Sequence, residues 1–244
     1  MTRDERLAAT FAEMTDALVD DFDIIDFLQR LAGHCVELLD AGSAALMLAD
    51  PWETLWTVAA SDARAQRLGS AARQLSEGPC VASYRSGARA ADEDLALGDA
   101  RWPAFARQAA ELGVRGGVAL PLRLRGQAIG ALGLFRSAPG PFAAEELQLA
   151  QALADSATVG LLQQRAPDGA EAIVAQLRAT FGSWVVVEQA KGMLAELWNV
   201  TPEEALTALR ERARTRGTLL TDLANGVLHG RIAPEHLRAP RTDA

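Results

Sequence analysis

Two thiols, those of Cys35 and Cys80, are the side chains of this sequence that could act as redox nucleophiles. Thiol reduction of an oxidised substrate needs an attacking cysteine and a second cysteine that resolves the intermediate. Cys35 falls on the apolar face of an early predicted helix, which favours a buried core residue. The sequence has neither a CxxC pair nor a Cys/His spacing typical of zinc, so we predict no metal site. Two cysteines are also too few for a disulfide framework, which indicates a reducing compartment.

A set of cations near the C-terminus offers a second kind of chemistry. Arg210 and Arg214 are four residues apart in one predicted helix, as are Arg212 and Arg216, so each pair shares a helix face. Lys191, the single lysine of the chain, precedes them. Cations held on a rigid surface can bind the phosphates of a nucleic acid. On composition alone, the alternative for each of them is a solvated surface residue.

The overall charge opposes indiscriminate binding to nucleic acids or anionic membranes. The formal net charge is −8, from 24 basic and 32 acidic side chains. Residues 1–169 hold 15 of the basic and 23 of the acidic residues, whereas residues 170–244 hold nine of each sign. All the net acidity therefore belongs to the first part, and the second part is neutral with clustered cations.

Hydrophobic periodicity divides the chain into two structural classes. With 244 residues and 49% apolar content, two domains are the expected number. The first part alternates helices and strand pairs, the pattern of an α+β domain with helices packed on one face of an antiparallel sheet. We predict helices over 3–20, 24–39, 63–75 and 143–165, a helix that ends at 112, and strands over 43–49, 54–61, 116–124 and 128–135.

Beyond a joint at Ala166–Gly169, only helices are predicted. They cover 170–181, 183–198, 202–216 and 218–229, and the third begins with a capping box formed by Thr201 and Glu204. The tail from Ala239 is expected to be disordered. The N-terminus lacks the apolar core of a signal peptide, and no stretch reaches the ~18 apolar residues that span a bilayer. We therefore expect a soluble, cytoplasmic protein.

The run Val187–Leu194, with its sequence VEQAKGML, resembles the ANTAR domain. The resemblance continues through Glu204-Ala205-Leu206, Leu209-Arg210, Ala213, Leu219 and Leu223-Ala224. ANTAR domains are the RNA-binding modules of bacterial transcription antitermination regulators. The resemblance implies a three-helix bundle whose inner stripe is apolar, and together with the periodicity it selects these outward RNA-binding residues: Gln189, Lys191, Arg210 and Arg214. Trp184 and the segment Arg216-Gly217-Thr218 depart from the family pattern, and both departures remove cations.

The first part resembles a GAF domain, a small-molecule sensor fold. The resemblance is carried by Glu77–Cys80 (EGPC), by Gly113-Val114-Arg115, and by the strand, turn and strand from Leu120 to Leu132. It implies a ligand between the sheet and the 77–112 crossover, with a candidate lining of Cys80, Tyr84, Trp102 and Phe105. For each of these the alternative is a packed core residue. A bilin is excluded because Cys80 lacks the usual neighbouring histidine, and we assign no cofactor.

Together these observations predict an α+β fold, in which a GAF-type antiparallel sheet flanked by helices precedes a small all-helical ANTAR domain. We expect an N-terminal helix (1–22) that could dimerise, a GAF domain (23–165), a linker (166–170), an ANTAR domain (171–238) and a tail (239–244). GAF–ANTAR pairings occur in actinobacterial proteins. The expected function is non-enzymatic: a homodimer that binds tandem RNA hairpins under the control of an unknown small molecule, with no membrane partner.

Two other functions remain open from the sequence. One GAF subfamily reduces free methionine sulfoxide with a crossover cysteine, and Cys80 could play that part. No Ser/His/Asp or phosphate-loop constellation supports any other enzyme. The second alternative is a signalling module whose helical part dimerises without binding RNA.

Overall fold

The structure is a computed structural model, and it describes residues 3–16, 23–95, 101–124, 126–163 and 170–237. The predicted tail, the predicted linker apart from Ala170, and part of the first predicted helix lie outside these ranges. The helices are α1 (Arg3–Asp16), α2 (Ile24–Leu38), α3 (Ala63–Leu75), α4 (Pro79–Ser86), α5 (Pro103–Glu111), α6 (Ala144–Gln163), α7 (Ala170–Trp198), α8 (Pro202–Arg216) and α9 (Leu220–Leu228). The strands are β1 (Ser43–Ala49), β2 (Leu55–Ala60), β3 (Ala90–Asp92), β4 (Gly116–Leu124) and β5 (Gln127–Arg136).

The five strands form one antiparallel sheet in the order β2-β1-β5-β4-β3. Both predicted hairpins are present, and β4 and β5 are internal strands. The short strand β3 was not predicted, because three residues are too few to show an alternating pattern.

Helices cover both faces of the sheet, rather than the single face that the order of elements predicted. Alternate residues of β1 show why: Leu46 and Leu48 pack with α2 and α6, whereas Ala45 and Met47 pack with α3, α4 and α5. Because successive side chains of a strand point to opposite faces, an almost continuous apolar strand needs a cover on each side. The expectation of one covered face was wrong for this reason.

The C-terminal helices α7, α8 and α9 pack together as a bundle. Helix α7 runs unbroken through Gly182, so the prediction of two helices, 170–181 and 183–198, was wrong. A Cβ at position 182 would meet no atom within 4 Å, and a glycine inside a helix costs only about 1 kcal/mol relative to alanine. The capping box of α8 is confirmed: Glu204 N donates to Thr201 Oγ1 (3.2 Å), and Thr201 N donates to Glu204 Oε2 (2.8 Å). The Thr201 N–H and the Thr201 hydroxyl both donate to the Glu204 carboxylate, and these two bonds lower the pKa of that carboxyl.

The bundle shares a core with the sheet domain. Val187, Ala190 and Leu194 of α7 are buried in the same apolar cluster as α2 and α6. Helix α2 contacts both α7 and α9, so it lies between the sheet and the bundle. The first turn of α2 is thereby placed beside the cationic helix α8.

Candidate functional site

The four residues predicted to line a sensor site lie on or near the crossover helices α4 and α5. Cys80, Trp102 and Phe105 are buried in one cluster on the sheet face covered by α3, α4 and α5, and Tyr84 packs partly buried at its margin. The ring of Phe105 lies 6.4 Å from that of Phe135, centroid to centroid. The structure therefore brings the predicted residues together, and three of them are enclosed by protein atoms.

The EGPC segment positions this cluster through its backbone and its glutamate. Gly78 has φ +108°, a conformation that favours glycine, and the Phe105 ring lies where a Cβ on Gly78 would be. The Glu77 carboxylate accepts hydrogen bonds from Ala104 N (2.9 Å) and Phe105 N (3.2 Å), so it caps α5. One short segment thus fixes both helices above the sheet.

Neither cysteine has the environment of a reactive thiol. Burial raises the pKa of both the Cys35 and Cys80 thiols to about 12, so both are protonated at neutral pH. The two side chains also belong to different clusters on opposite faces of the sheet. Cys35 therefore cannot resolve an intermediate on Cys80, which disfavours the reductase alternative.

We expect a thiol-specific aromatic disulfide reagent to leave the native protein unmodified at pH 8. The thiolate form of a cysteine is the species that reacts, and burial keeps both thiols protonated until the pH approaches 12. In guanidinium chloride the pKa of each cysteine returns to its ordinary value, and two thiols per chain should then react. Absorbance of the released thiol measures both states, and rapid modification of one native thiol would contradict the described burial.

Two of the four predicted RNA-binding residues face the sheet domain. Lys191 Nζ lies 2.6 Å from Glu188 Oε1, and Arg210 Nε lies 2.8 Å from Asp26 Oδ1 of α2. Both cations line a cavity of about 170 Å³ between the bundle and the sheet domain. Residues of the other domain that line it include Gln29 and Asp62.

The other two predicted residues point elsewhere. Gln189 is exposed and lies about 200° around α7 from Lys191, because a helix turns about 100° per residue. Arg214 is exposed one turn beyond Arg210 on α8. The structure therefore pairs Lys191 with Arg210 and leaves Gln189 on a different side of the bundle.

An aromatic contact between the domains was not anticipated. Trp184 of α7 lies 5.7 Å from Trp56 of β2, centroid to centroid, and the Arg73 guanidinium lies 4.3 Å from the Trp56 ring. Phe181 meets Trp184 edge to face at 6.3 Å. The one signal in the sequence was that Trp184 replaces a usual arginine, and the structure gives this tryptophan a packing role.

Within the described ranges, no helix is both long and apolar enough to cross a bilayer. The same residues contain no group of three or more His, Cys, Asp or Glu side chains arranged to hold a metal ion.

An antiparallel sheet with helices on both faces, followed by a helical bundle that carries cations, defines the class of a two-domain chain, α+β first and all-helical second. The comparisons agree with this class. The GAF domain family matches residues 23–161, and the ANTAR domain family matches residues 175–228. The chain belongs to the GAF family, and it is a GAF–ANTAR regulator in which the GAF domain comes first.

Solved structures resemble the first domain. The GAF domain of an Acinetobacter phosphoenolpyruvate-protein phosphotransferase matches with a TM-score of 0.50 and 12% identity, covering 63% of this chain and 91% of that one. Free methionine-R-sulfoxide reductase from Neisseria meningitidis, in complex with its substrate, matches with a TM-score of 0.50 and 17% identity, covering 63% and 87%. No curated protein matches the sequence. At these identities the structural matches show the fold alone.

Proposed function

We propose that this protein binds hairpin RNA through its ANTAR domain and thereby prevents transcription termination, under the control of its GAF domain. The observation that carries the proposal is the convergence of Lys191 and Arg210, from two helices of the bundle, on one cavity that the bundle forms with the sheet domain. Bacterial hairpins are recognised through their phosphates and splayed loop bases, which cations and polar groups can reach. Arg214 continues this cationic face along α8, and Gln189 provides a separate polar contact.

Two further features belong to the proposal. A cytoplasmic homodimer supplies two bundles for tandem hairpins, and a small molecule bound beside Cys80, Tyr84, Trp102 and Phe105 provides the signal. The joint burial of three of these residues against one sheet face supports a common site. Because those side chains are packed against one another, a ligand has to displace at least Trp102, the most exposed of the three at 8%. Such a displacement would move α5 and couple ligand binding to a change in shape.

We expect Lys191→Ala to weaken binding to a two-hairpin leader RNA about tenfold at 0.1 M salt. Loss of one phosphate contact removes one released counterion, so the slope of log K against log salt should become shallower by about 0.7–0.9. Fluorescence anisotropy with labelled RNA over a salt series measures both quantities. Arg107→Ala removes one exposed charge from α5 of the GAF domain and serves as the matched control.

Binding that is equal and weak for the wild type, Lys191→Ala and Arg107→Ala would overturn the assignment of Lys191. A second assay tests the output directly, since transcription of a template with the leader and its terminator should read through more often when the protein is added. Read-through that stays constant would overturn antitermination even where RNA binds.

A further inference from the structure

The first turn of α2 presents two carboxylates to the bundle. One oxygen of Asp23 caps α2 itself, accepting from Ile25 N (3.0 Å) and Asp26 N (3.1 Å). Its other oxygen accepts from Thr221 N (2.7 Å) and Thr221 Oγ1 (2.9 Å), at the start of α9. Asp26 Oδ1 accepts from Arg210 Nε at 2.8 Å. Two acidic side chains of the sheet domain thus bind a guanidinium and a helix N-terminus of the ANTAR domain.

Those two partners are the groups that proteins use to bind phosphate. An arginine side chain and the free N–H groups of a helix N-terminus both favour an anion with two or more acceptor oxygens. A carboxylate offers similar charge and acceptors, so Asp23 and Asp26 occupy positions suited to RNA phosphates.

In the arrangement that these contacts hold, Lys191 and Arg210 are largely shielded from solvent. The side chain of Lys191 is 15% exposed and that of Arg210 is 30% exposed. The cavity between them, about 170 Å³, is smaller than the ~300–1,000 Å³ of ordinary small-molecule sites, so a nucleotide within a folded hairpin does not fit. RNA therefore cannot reach Lys191 and Arg210 together while the two domains remain in contact.

A second, uncharged contact holds the same arrangement. Trp184 packs on Trp56 at 5.7 Å, on the β2 side of the interface. Aromatic pairs of this kind stabilise a contact beyond the area that they bury. The charged and the aromatic contacts lie on different elements, α2 and β2, so together they fix the orientation of the bundle.

On these observations, and resting on the proposed function, we propose that the acidic first turn of α2 (Asp23–Asp26) is an intramolecular competitor of RNA. It binds the Arg210 and Thr221 side of the ANTAR domain and keeps the domain docked, and RNA binds the undocked form. If a fraction f of the molecules is undocked, the apparent Kd is the intrinsic Kd divided by f. Weakening the docking raises f and tightens RNA binding without any change in the residues that touch RNA.

We expect Asp26→Asn to tighten binding to the two-hairpin leader RNA about tenfold in the full-length protein, which corresponds to a tenfold rise in the undocked fraction. Asparagine keeps the size of the side chain but removes the charge that binds Arg210. Asp155→Asn removes one exposed carboxylate of α6 and is the matched control for the change in net charge; its affinity should stay within about twofold of the wild type. The double variant Asp26→Asn with Lys191→Ala should lose the gain.

Hydrogen exchange gives a readout that does not depend on affinity. The Thr221 amide donates to Asp23 in the docked form, so it should exchange faster in Asp26→Asn than in the wild type.

The outcomes separate the two proposals. Wild-type binding that depends on Lys191 but is unchanged by Asp26→Asn would overturn the competitor while the RNA-binding function stands. Exchange of the Thr221 amide that is no faster in Asp26→Asn than in the wild type would also overturn it. Absence of Lys191-dependent binding in every variant, including Asp26→Asn, would overturn the proposed function itself.

Discussion

Replacing Phe105 with alanine is expected to lower the free energy of unfolding by about 3–5 kcal/mol. The Phe105 side chain has no exposed surface, packs against the Phe135 ring and lies where Gly78 leaves room for it. Removing the ring deletes its buried apolar surface and leaves a cavity that α5 cannot close without losing the cap from Glu77. Equilibrium urea unfolding followed by circular dichroism gives this free energy directly.

The matched control is Trp52→Ala, which truncates an aromatic side chain that is 83% exposed in the β1–β2 turn. We expect a change within about 0.5 kcal/mol for this variant. A loss below about 1 kcal/mol for Phe105→Ala would show that the crossover is loosely packed. It would mean that the predicted sensor site is open in solution, and that a ligand enters without displacing side chains.

Gly130→Ala is the second variant with a large expected effect, a loss of about 3 kcal/mol of unfolding free energy. Gly130 lies in β5, where it pairs with Leu48 of β1 and Leu122 of β4. A Cβ at this position would overlap with the carbonyl oxygen of Met47 and would lie 3.1 Å from Leu48 Cα. Both are backbone atoms, so the strands have to separate and their ladder has to distort.

Gly33→Ala tests the same substitution where space is open. Gly33 lies inside α2, and a Cβ there would meet no atom within 4 Å. Alanine favours helix over glycine, so we expect a gain of about 0.5–1 kcal/mol. The two variants should therefore move the midpoint of urea unfolding in opposite directions. An unchanged or higher midpoint for Gly130→Ala would contradict the overlap with the β1 backbone.

Helix α2, which carries Asp23 and Asp26, links the packing of the sheet domain to the docking of the bundle. Helix α2 packs on the sheet with its apolar face and meets α7 and α9 on another side. A shift of the GAF domain that moves α2 therefore changes the environment of Arg210 directly. The proposed ligand site lies on the opposite face of the sheet, so a signal has to pass through the strands to reach α2.

The acidic residues of the first part have two effects, one on RNA in general and one at this interface. Its net charge of −8 discourages non-specific binding to RNA. Two of its carboxylates, those of Asp23 and Asp26, also contact the cationic helix and the start of α9. Charge on the sensor part therefore acts both at long range and through two direct contacts.

The sequence by itself predicted the features that depend on local pattern. The hairpins, the capping box at Thr201 and most helix boundaries, though not the break predicted at Gly182, follow from apolar spacing and turn residues. The family motifs identified GAF and ANTAR domains in the correct order. These features are encoded by residues close together in the chain. For Cys80 and Phe105 the sequence left two alternatives, a side chain that lines a ligand site and a packed core residue.

Only the tertiary structure decided which residues meet across the domains. Asp26 and Arg210 are 184 positions apart, and no periodicity in either helix indicates that their side chains are 2.8 Å apart. Lys191 and Gln189 are two positions apart in one motif, yet only Lys191 faces the sheet domain. A helical pattern predicts that a residue points outward from its own bundle. The packing of a second domain determines whether that residue is exposed to solvent or buried in a contact.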